Sequence, residues 1–189
     1  MINEFGDGIS WETHVDQVAE EKVVYYQDVA GCALLHKIKE HKDSGKLLDC
    51  GCHVGRWSDL FTKAGFEYTG VDQSEKAIAT ARKNKPDYNF VHTMLWDMNF
   101  KEEFDVATLV AVLQHNLLAE QERIVPKVYD ALKHGGIMFM AESTMDKNTI
   151  TQRTQQDWIR MVESCGFKFV EVFDRNDLGF EDKYIFIKE

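Results

Sequence analysis

The stretch LLDCGCHVGRWSDLF, residues 47–61, decides how the chain folds. Its first part, with Lys46, is a short apolar run, KLLDC (46–50), that ends in glycines, as a buried strand does. Gly51 and Gly55 follow, and glycine lets a backbone adopt positive φ and pass close to a ligand. From Arg56 to Ala64, Trp57, Leu60, Phe61 and Ala64 share one helical face, and Gly65 stops the helix. The segment is therefore a buried strand, a glycine loop and a helix.

Downstream, the same alternation repeats. EYTGV (67–71) is a second strand, and Ser74 caps a helix over Glu75–Asn84. YNFVH (88–92) and FDVATLVAV (104–112) are strands three and four. A helix spans 117–133, Pro126 either kinking it or starting its second part, and Gly135-Gly136 ends it. IMFMA (137–141) is strand five. Thr151–Cys165 is a helix closed by Gly166. FKFVEVF (167–173) and KYIFIKE (183–189) are two more strands, joined by the polar turn DRNDLGFED and so antiparallel. The pattern predicts an α/β, doubly wound, Rossmann-like sandwich: seven strands, mostly parallel with the last antiparallel, and helices on both faces. Ligands in such folds sit at the carboxyl ends of the strands.

Upstream, residues 11–41 carry apolar positions at the spacing of one or two amphipathic helices, and Lys42-Asp43-Ser44-Gly45 is a turn. We expect residues 1–45 to form a helical extension or lid and residues 46–189 the ligand-binding domain. The chain has 189 residues, enough to bury about 70% of its unfolded surface without disulfides or metals. No run of 18 apolar residues occurs, so no membrane span is expected. MINEFGDGIS lacks the apolar centre of a signal peptide, and a cytoplasmic protein is expected. The net charge of −10 argues against a nucleic-acid partner, which calls for a basic footprint. Cys32, Cys50, Cys52 and Cys165 do not complete a zinc set and read as reduced thiols in packed positions.

Two acids close strands beside the glycine loop. Asp49 lies at the end of the first strand. Asp72 lies at the end of the second, where a carboxylate can accept hydrogen bonds from two ribose hydroxyls. Ser74 already caps the helix that follows, so capping does not explain Asp72. A dinucleotide loop anchored on Gly51 would need glycines at 53 and 56, where His53 and Arg56 stand, and no G-x-x-x-x-G-K-[ST] phosphate loop occurs.

LLDCGCHVGRWS, TGVDQSEKAIATAR, EEFDVATLVAVLQHN and ALKHGGIMFMAE, taken in order, resemble the class I S-adenosylmethionine-dependent methyltransferases, over residues 46–173 and with a fitting last strand. His53 departs from the family's middle glycine. The resemblance implies S-adenosylmethionine as cofactor. Asp49 would orient its methionine amino end, and Gly51, Cys52 and Gly55 would give backbone contacts. Asp72 would hold the ribose, with Gln73 stacked beside it. For adenine, either Asp97 binds the amino group, or backbone does while Met94 and Leu95 sandwich the ring. The Val110 carbonyl would face the methionine ammonium.

The sequence excludes several subclasses. No [DNS]-P-P-[YFW] motif and no nucleophilic Pro-Cys occur, and the paired-glutamate loop of arginine methyltransferases is missing. No acid stands from Val106 to Leu118, which argues against a catechol-type metal site. His115 reads either as a general base or as a residue holding its loop. Trp11, Tyr25 and Tyr26 could cover a sulfonium or pack a helix. Arg153 could pair with a substrate carboxylate or be solvent-exposed. Trp96 and Trp158 read as packing residues or pocket walls, and His14, His36, His41 and His134 form no ligand spacing. Three functions compete: a methyltransferase of small molecules, favoured by the acidic charge and the short chain; one acting on RNA or protein; and a non-catalytic cofactor-binding regulator. The oligomeric state is left open.

Overall fold

The loop at residues 51–55 sits at the carboxyl edge of a seven-stranded sheet in the computed structural model, which describes residues 24–143, 153–173 and 182–189. The elements run α1 (Val24–Lys39), β1 (Gly45–Cys50), α2 (Ser58–Lys63), β2 (Phe66–Asp72), α3 (Glu75–Asn84), β3 (Asn89–His92) and β4 (Phe104–Val110). They continue with α4 (Leu118–Ala131), β5 (Leu132–Glu142), α5 (Gln155–Glu163), β6 (Phe167–Phe173) and β7 (Asp182–Lys188). The sheet order is β3-β2-β1-β4-β5-β7-β6. Pairings from β3 to β5 are parallel, and β7 runs antiparallel to both its neighbours. The expected sandwich and its antiparallel last strand are therefore present. The order reverses between β1 and β4, which opens the crevice where such sheets take ligands.

Successive residues of a strand point to opposite faces, and β1 shows why its sequence is apolar throughout. Leu47 and Leu48 are both fully buried, in different layers. Leu47 packs with Leu34, Ile38, Phe61, Phe66 and Ile78, from α1, α2, β2 and α3. Leu48 packs in the layer of Ile124, Val128, Trp158 and Val162, from α4 and α5. Burial of one such leucine contributes roughly 1.5–3 kcal/mol.

Three boundaries differ from the sequence reading. Gly135-Gly136 do not end α4, which stops at Ala131; they lie inside β5. There the register jumps from Phe104↔Leu132 to Val106↔Ile137, and Gly135 takes φ 72°, so the pair relieves an irregularity in the strand. Pro126 starts no second helix: it lies within α4, which runs from Leu118 to Ala131. The last helix begins at Gln155, after a Thr154 cap that accepts from Asp157 N at 3.1 Å. Of the N-terminal extension, Leu34 and Ile38 are buried in the core. Trp11 and the side chains of Tyr25 and Tyr26 lie outside the described residues, as does the turn over 174–181.

Candidate functional site

Three left-handed residues shape the loop after β1: Gly51 at φ 78°, His53 at 51° and Gly55 at 71°. A Cβ on Gly51 would stand 2.5 Å from Val112 Cγ2, and one on Gly55 would stand 2.5 Å from the Phe90 ring. Both glycines are thus fixed by packing as well as by φ. His53, at the middle position, takes the left-handed conformation itself despite its side chain. Gly51 N and Cys52 N both donate to Val71 O, at 2.8 and 3.0 Å. The loop also folds over the end of β2: His53 N donates to Asp72 Oδ2 at 2.9 Å, and Ser74 N donates to Asp72 Oδ1 at 2.8 Å. Ser74 caps α3 as expected, accepting from Ala77 N at 3.2 Å.

Asp49 is buried under this loop. Tyr68 Oη donates to its Oδ2 and Thr108 Oγ1 to its Oδ1, each at 2.8 Å. Burial nevertheless pushes its carboxyl above the ordinary range, against those two donors, and nearby Asp72 adds to the rise. Burial also raises the Cys52 thiol well above its ordinary value, so C-x-C holds no ready thiolate. Of the thiols, Cys50 and Cys52 are buried, Cys165 is half-buried and Cys32 is exposed rather than packed. A residue missed in the sequence is Lys85. Its Nζ donates to Gly55 O at 2.8 Å and Ser58 Oγ at 2.9 Å, and pairs with Asp59 at 2.6 Å, which ties the loop to the end of α3.

The remaining sequence candidates lie along the same edge. Gln73 follows Asp72, and its carbonyl accepts from His92 Nε2 at 3.0 Å. Met94 is half-buried, and Leu95 is buried in the core. Asp97 is 60% exposed and faces Arg123 at 4.0 Å, while Arg123 lies over the Trp96 ring. Val110 ends β4, and Ala111 next to it takes φ 53°. The turn that follows, Leu113–His115, is set by a second unforeseen residue. Glu142, fully buried at the end of β5, accepts from Val112 N (3.1 Å), Leu113 N (2.9 Å) and Gln114 N (3.0 Å). Gln114 Oε1 in turn accepts from Ser143 N at 2.6 Å. His115 Nε2 lies 3.3 Å from Gln114 Nε2, and burial lowers the imidazole pKa.

Arg153 is neither exposed nor free for a substrate. Its side chain is 13% exposed, donates to Gln121 Oε1 at 2.7 Å, faces Glu122 at 3.6 Å and lies over Trp158. It therefore fastens α4 to α5. Trp158 is a fully buried packing residue. His41, which showed no ligand spacing in sequence, comes together with Glu40 and Glu171, their ligand atoms all within 4.8 Å of one another. Lys37 Nζ stands 2.6 Å from both of those carboxylates.

The protein family described as a methyltransferase domain matches residues 48–140, from the strand bearing Asp49 to the fifth strand. A ubiquinone biosynthesis O-methyltransferase from Nitrobacter winogradskyi is 33% identical over 107 residues, covering 54% of this chain and 40% of that protein. The chain spans less than half the length of the curated relatives it matches first. Among solved structures, a TehB-like SAM-dependent methyltransferase from Corynebacterium glutamicum superposes with a TM-score of 0.73 at 19% identity. That match covers 95% of this chain and 98% of the other. Magnesium protoporphyrin IX methyltransferase from Synechocystis, with bound SAH, gives 0.71 at 15% identity, over 87% and 84% of the two chains. No described helix is long and apolar enough to cross a membrane.

Proposed function

We propose that the chain carries a class I, Rossmann-like methyltransferase domain, that it binds S-adenosylmethionine and that it transfers the methyl group to a small molecule. One observation carries the reading: two acids, Asp49 and Asp72, end adjacent strands on either side of a loop with three left-handed residues. The donor set fits the cofactor's chemistry. Asp72 offers a carboxylate for a ribose diol, and the Asp49 carboxylate and Arg56 guanidinium, which interact electrostatically, suit a zwitterionic amino acid. Gly51, Cys52 and Gly55 would hold the cofactor by backbone, Gln73, Met94, Leu95 or Asp97 its adenosine end, and Val110 its ammonium.

S-adenosylmethionine supplies an already activated sulfonium methyl. The protein's work is then to align the acceptor and exclude water. The turn Leu113–His115 follows β4 at the sheet's ligand edge, and there we assign His115 the acceptor's proton. Its lowered pKa keeps the imidazole neutral at pH 7 and able to accept. A small-molecule acceptor is supported by the net charge of −10 and by relatives named for ubiquinone biosynthesis. A cytoplasmic setting is part of the same proposal.

Calorimetric titration with S-adenosylhomocysteine tests the site. Asp72→Ala should weaken binding at least about tenfold, since a charged acceptor contributes roughly 1.5–3 kcal/mol per bond. Unchanged affinity in a folded variant would remove Asp72 from the site. A panel of small phenols, carboxylates and amines, followed by S-adenosylhomocysteine release, then tests turnover. Release with RNA or protein only would overturn the small-molecule reading.

A further inference from the structure

From Val106 to Ala119, along β4 and into α4, the chain holds no Asp, Glu, Lys or Arg. Near the end of this stretch stand two exposed leucines, Leu117 at 44% and Leu118 at 51%. Among the described residues, Val170 alone joins them as an exposed large apolar side chain. Their spacing is that of the buried stripe of α4. Leu117, Gln121, Ile124, Val128 and Ala131 recur at steps of four and three, and Leu118 stands seven residues before Val125. Every later member of the stripe is buried. Its first turn is open because α4 starts at the edge where β4 ends, on its way back to the parallel strand β5. That is the edge where such sheets take ligands.

The leucines are held in place there. Val112 packs on the glycine loop, its Cγ2 lying 2.5 Å from where a Cβ on Gly51 would stand. Asn116 Nδ2 donates to the Val112 carbonyl at 2.7 Å, Gln121 Nε2 donates to the Asn116 carbonyl at 3.1 Å, and Leu117 N donates to Glu120 Oε2 at 2.9 Å. Leu117 occupies the N-cap of α4, where Ser, Asn or Asp stabilises a helix and leucine does not. Neither the core nor the helix accounts for the pair. Nearby charges are engaged: Glu142 by three backbone N–H groups, Glu122 by Arg153 and Arg123 by Asp97. We propose that Leu117 and Leu118 seat the alkyl or aryl body of an uncharged acceptor beside the His115 turn, and so select neutral apolar acceptors over charged ones. A charged group laid against them loses water and gains no partner. The assignment rests on the function proposed above.

The probes are phenols carrying a para-methyl, -ethyl, -propyl or -butyl group, and para-hydroxyphenylpropionate. Each is titrated calorimetrically into protein saturated with S-adenosylhomocysteine. Every added methylene should tighten binding to the parent about two- to fourfold, the upper figure being full burial. The propionate should bind at least about tenfold more weakly than the propyl phenol. The double variant Leu117→Asn, Leu118→Gln should gain less than about 1.5-fold per methylene, with unchanged affinity for S-adenosylhomocysteine, and Leu117→Asn alone should fall between. Asparagine suits the N-cap, so the variants stay folded, which urea unfolding checks. A parent protein that binds S-adenosylhomocysteine but none of the phenols, gains nothing with chain length or prefers the propionate overturns the role of the leucines while leaving the cofactor reading standing. So does a double variant that keeps the parent's dependence on chain length. Failure of the parent to bind S-adenosylhomocysteine overturns the cofactor reading itself, and this inference with it.

Discussion

The Tyr68 hydroxyl, midway along β2, donates to the carboxylate of Asp49, at the end of β1, over 2.8 Å. With Thr108 from β4 on the other oxygen, three adjacent strands hold one buried acid. The hydroxyls do not offset its desolvation, and the folded pKa is raised. Stability then falls as pH rises, because over that window the folded state binds more protons than the unfolded one. The loss is absent below the unfolded value of about 4 and complete above the folded one. Asp49→Asn should therefore gain on the parent protein between pH 4 and pH 8 in urea unfolding, while losing cofactor affinity. Tyr68→Phe should cost about 1–3 kcal/mol at pH 8, the range for a buried partner left unsatisfied. A constant offset between Asp49→Asn and parent across that pH range would refute the linkage.

Glu142 holds three consecutive backbone N–H groups of the turn after β4. In Glu142→Gln, the amide oxygen can still serve Val112 and Leu113. The amide nitrogen would then face the Gln114 N–H, donor against donor. That buried N–H loses its partner, at a cost of about 1–3 kcal/mol. We expect lower urea stability and faster amide exchange at Gln114, with exchange at Leu47 and Leu48 following global stability only. Exchange at Gln114 that merely tracks global stability would mean the turn is held by something else.

His53 occupies a left-handed position at φ 51°, where the resemblance to the methyltransferases would place a glycine. Relief of that strain by His53→Gly is worth about 1 kcal/mol, and the added chain entropy offsets most of it. The net change should stay within about 1 kcal/mol, with S-adenosylhomocysteine affinity nearly unaltered. His53→Val places a β-branched residue at positive φ and should cost about 1–3 kcal/mol. Thermal unfolding in which valine matches glycine would show that the loop relaxes to another backbone.

The parts of this site that were legible in the sequence are the ones written locally. Asp49 and Asp72 stood out because each acid ends an apolar strand run, and Ser74 because a helix cap is a short-range pattern. Glu142 and Lys85 were hidden because their partners lie 28–30 and 26–30 residues away along the chain. Each looked like an ordinary charge at an element's end. Arg153 was misread for the same reason: Gln121, which engages it, is 32 residues earlier. Gly135-Gly136 carried a true signal, a need for unusual backbone, but a helix stop and a strand irregularity demand the same residue. The middle loop position was read as a departure from glycine; that a histidine keeps the left-handed conformation there is visible only in its φ.

His115 is where chemistry and scaffold can be separated. Its imidazole lies in the turn fixed by Glu142 and beside Gln114 Nε2, and burial lowers its pKa. As the base, it must be neutral to work. Turnover of an acceptor found in the screen should fall as pH drops through a value below the usual 6.5 and be flat from pH 7 to 8. The same depressed pKa adds stability that is fully present above pH 6.5 and is lost as pH falls through the folded value. His115→Ala should cut turnover about 10²–10⁴-fold with S-adenosylhomocysteine affinity nearly intact. A residue that only holds its loop predicts another pattern: cofactor affinity and turnover fall together, and the turnover that remains keeps the parent's pH profile. Single-turnover rates and titrations on the same variant preparations decide between them. Parent-like turnover in His115→Ala would leave methyl transfer to alignment alone.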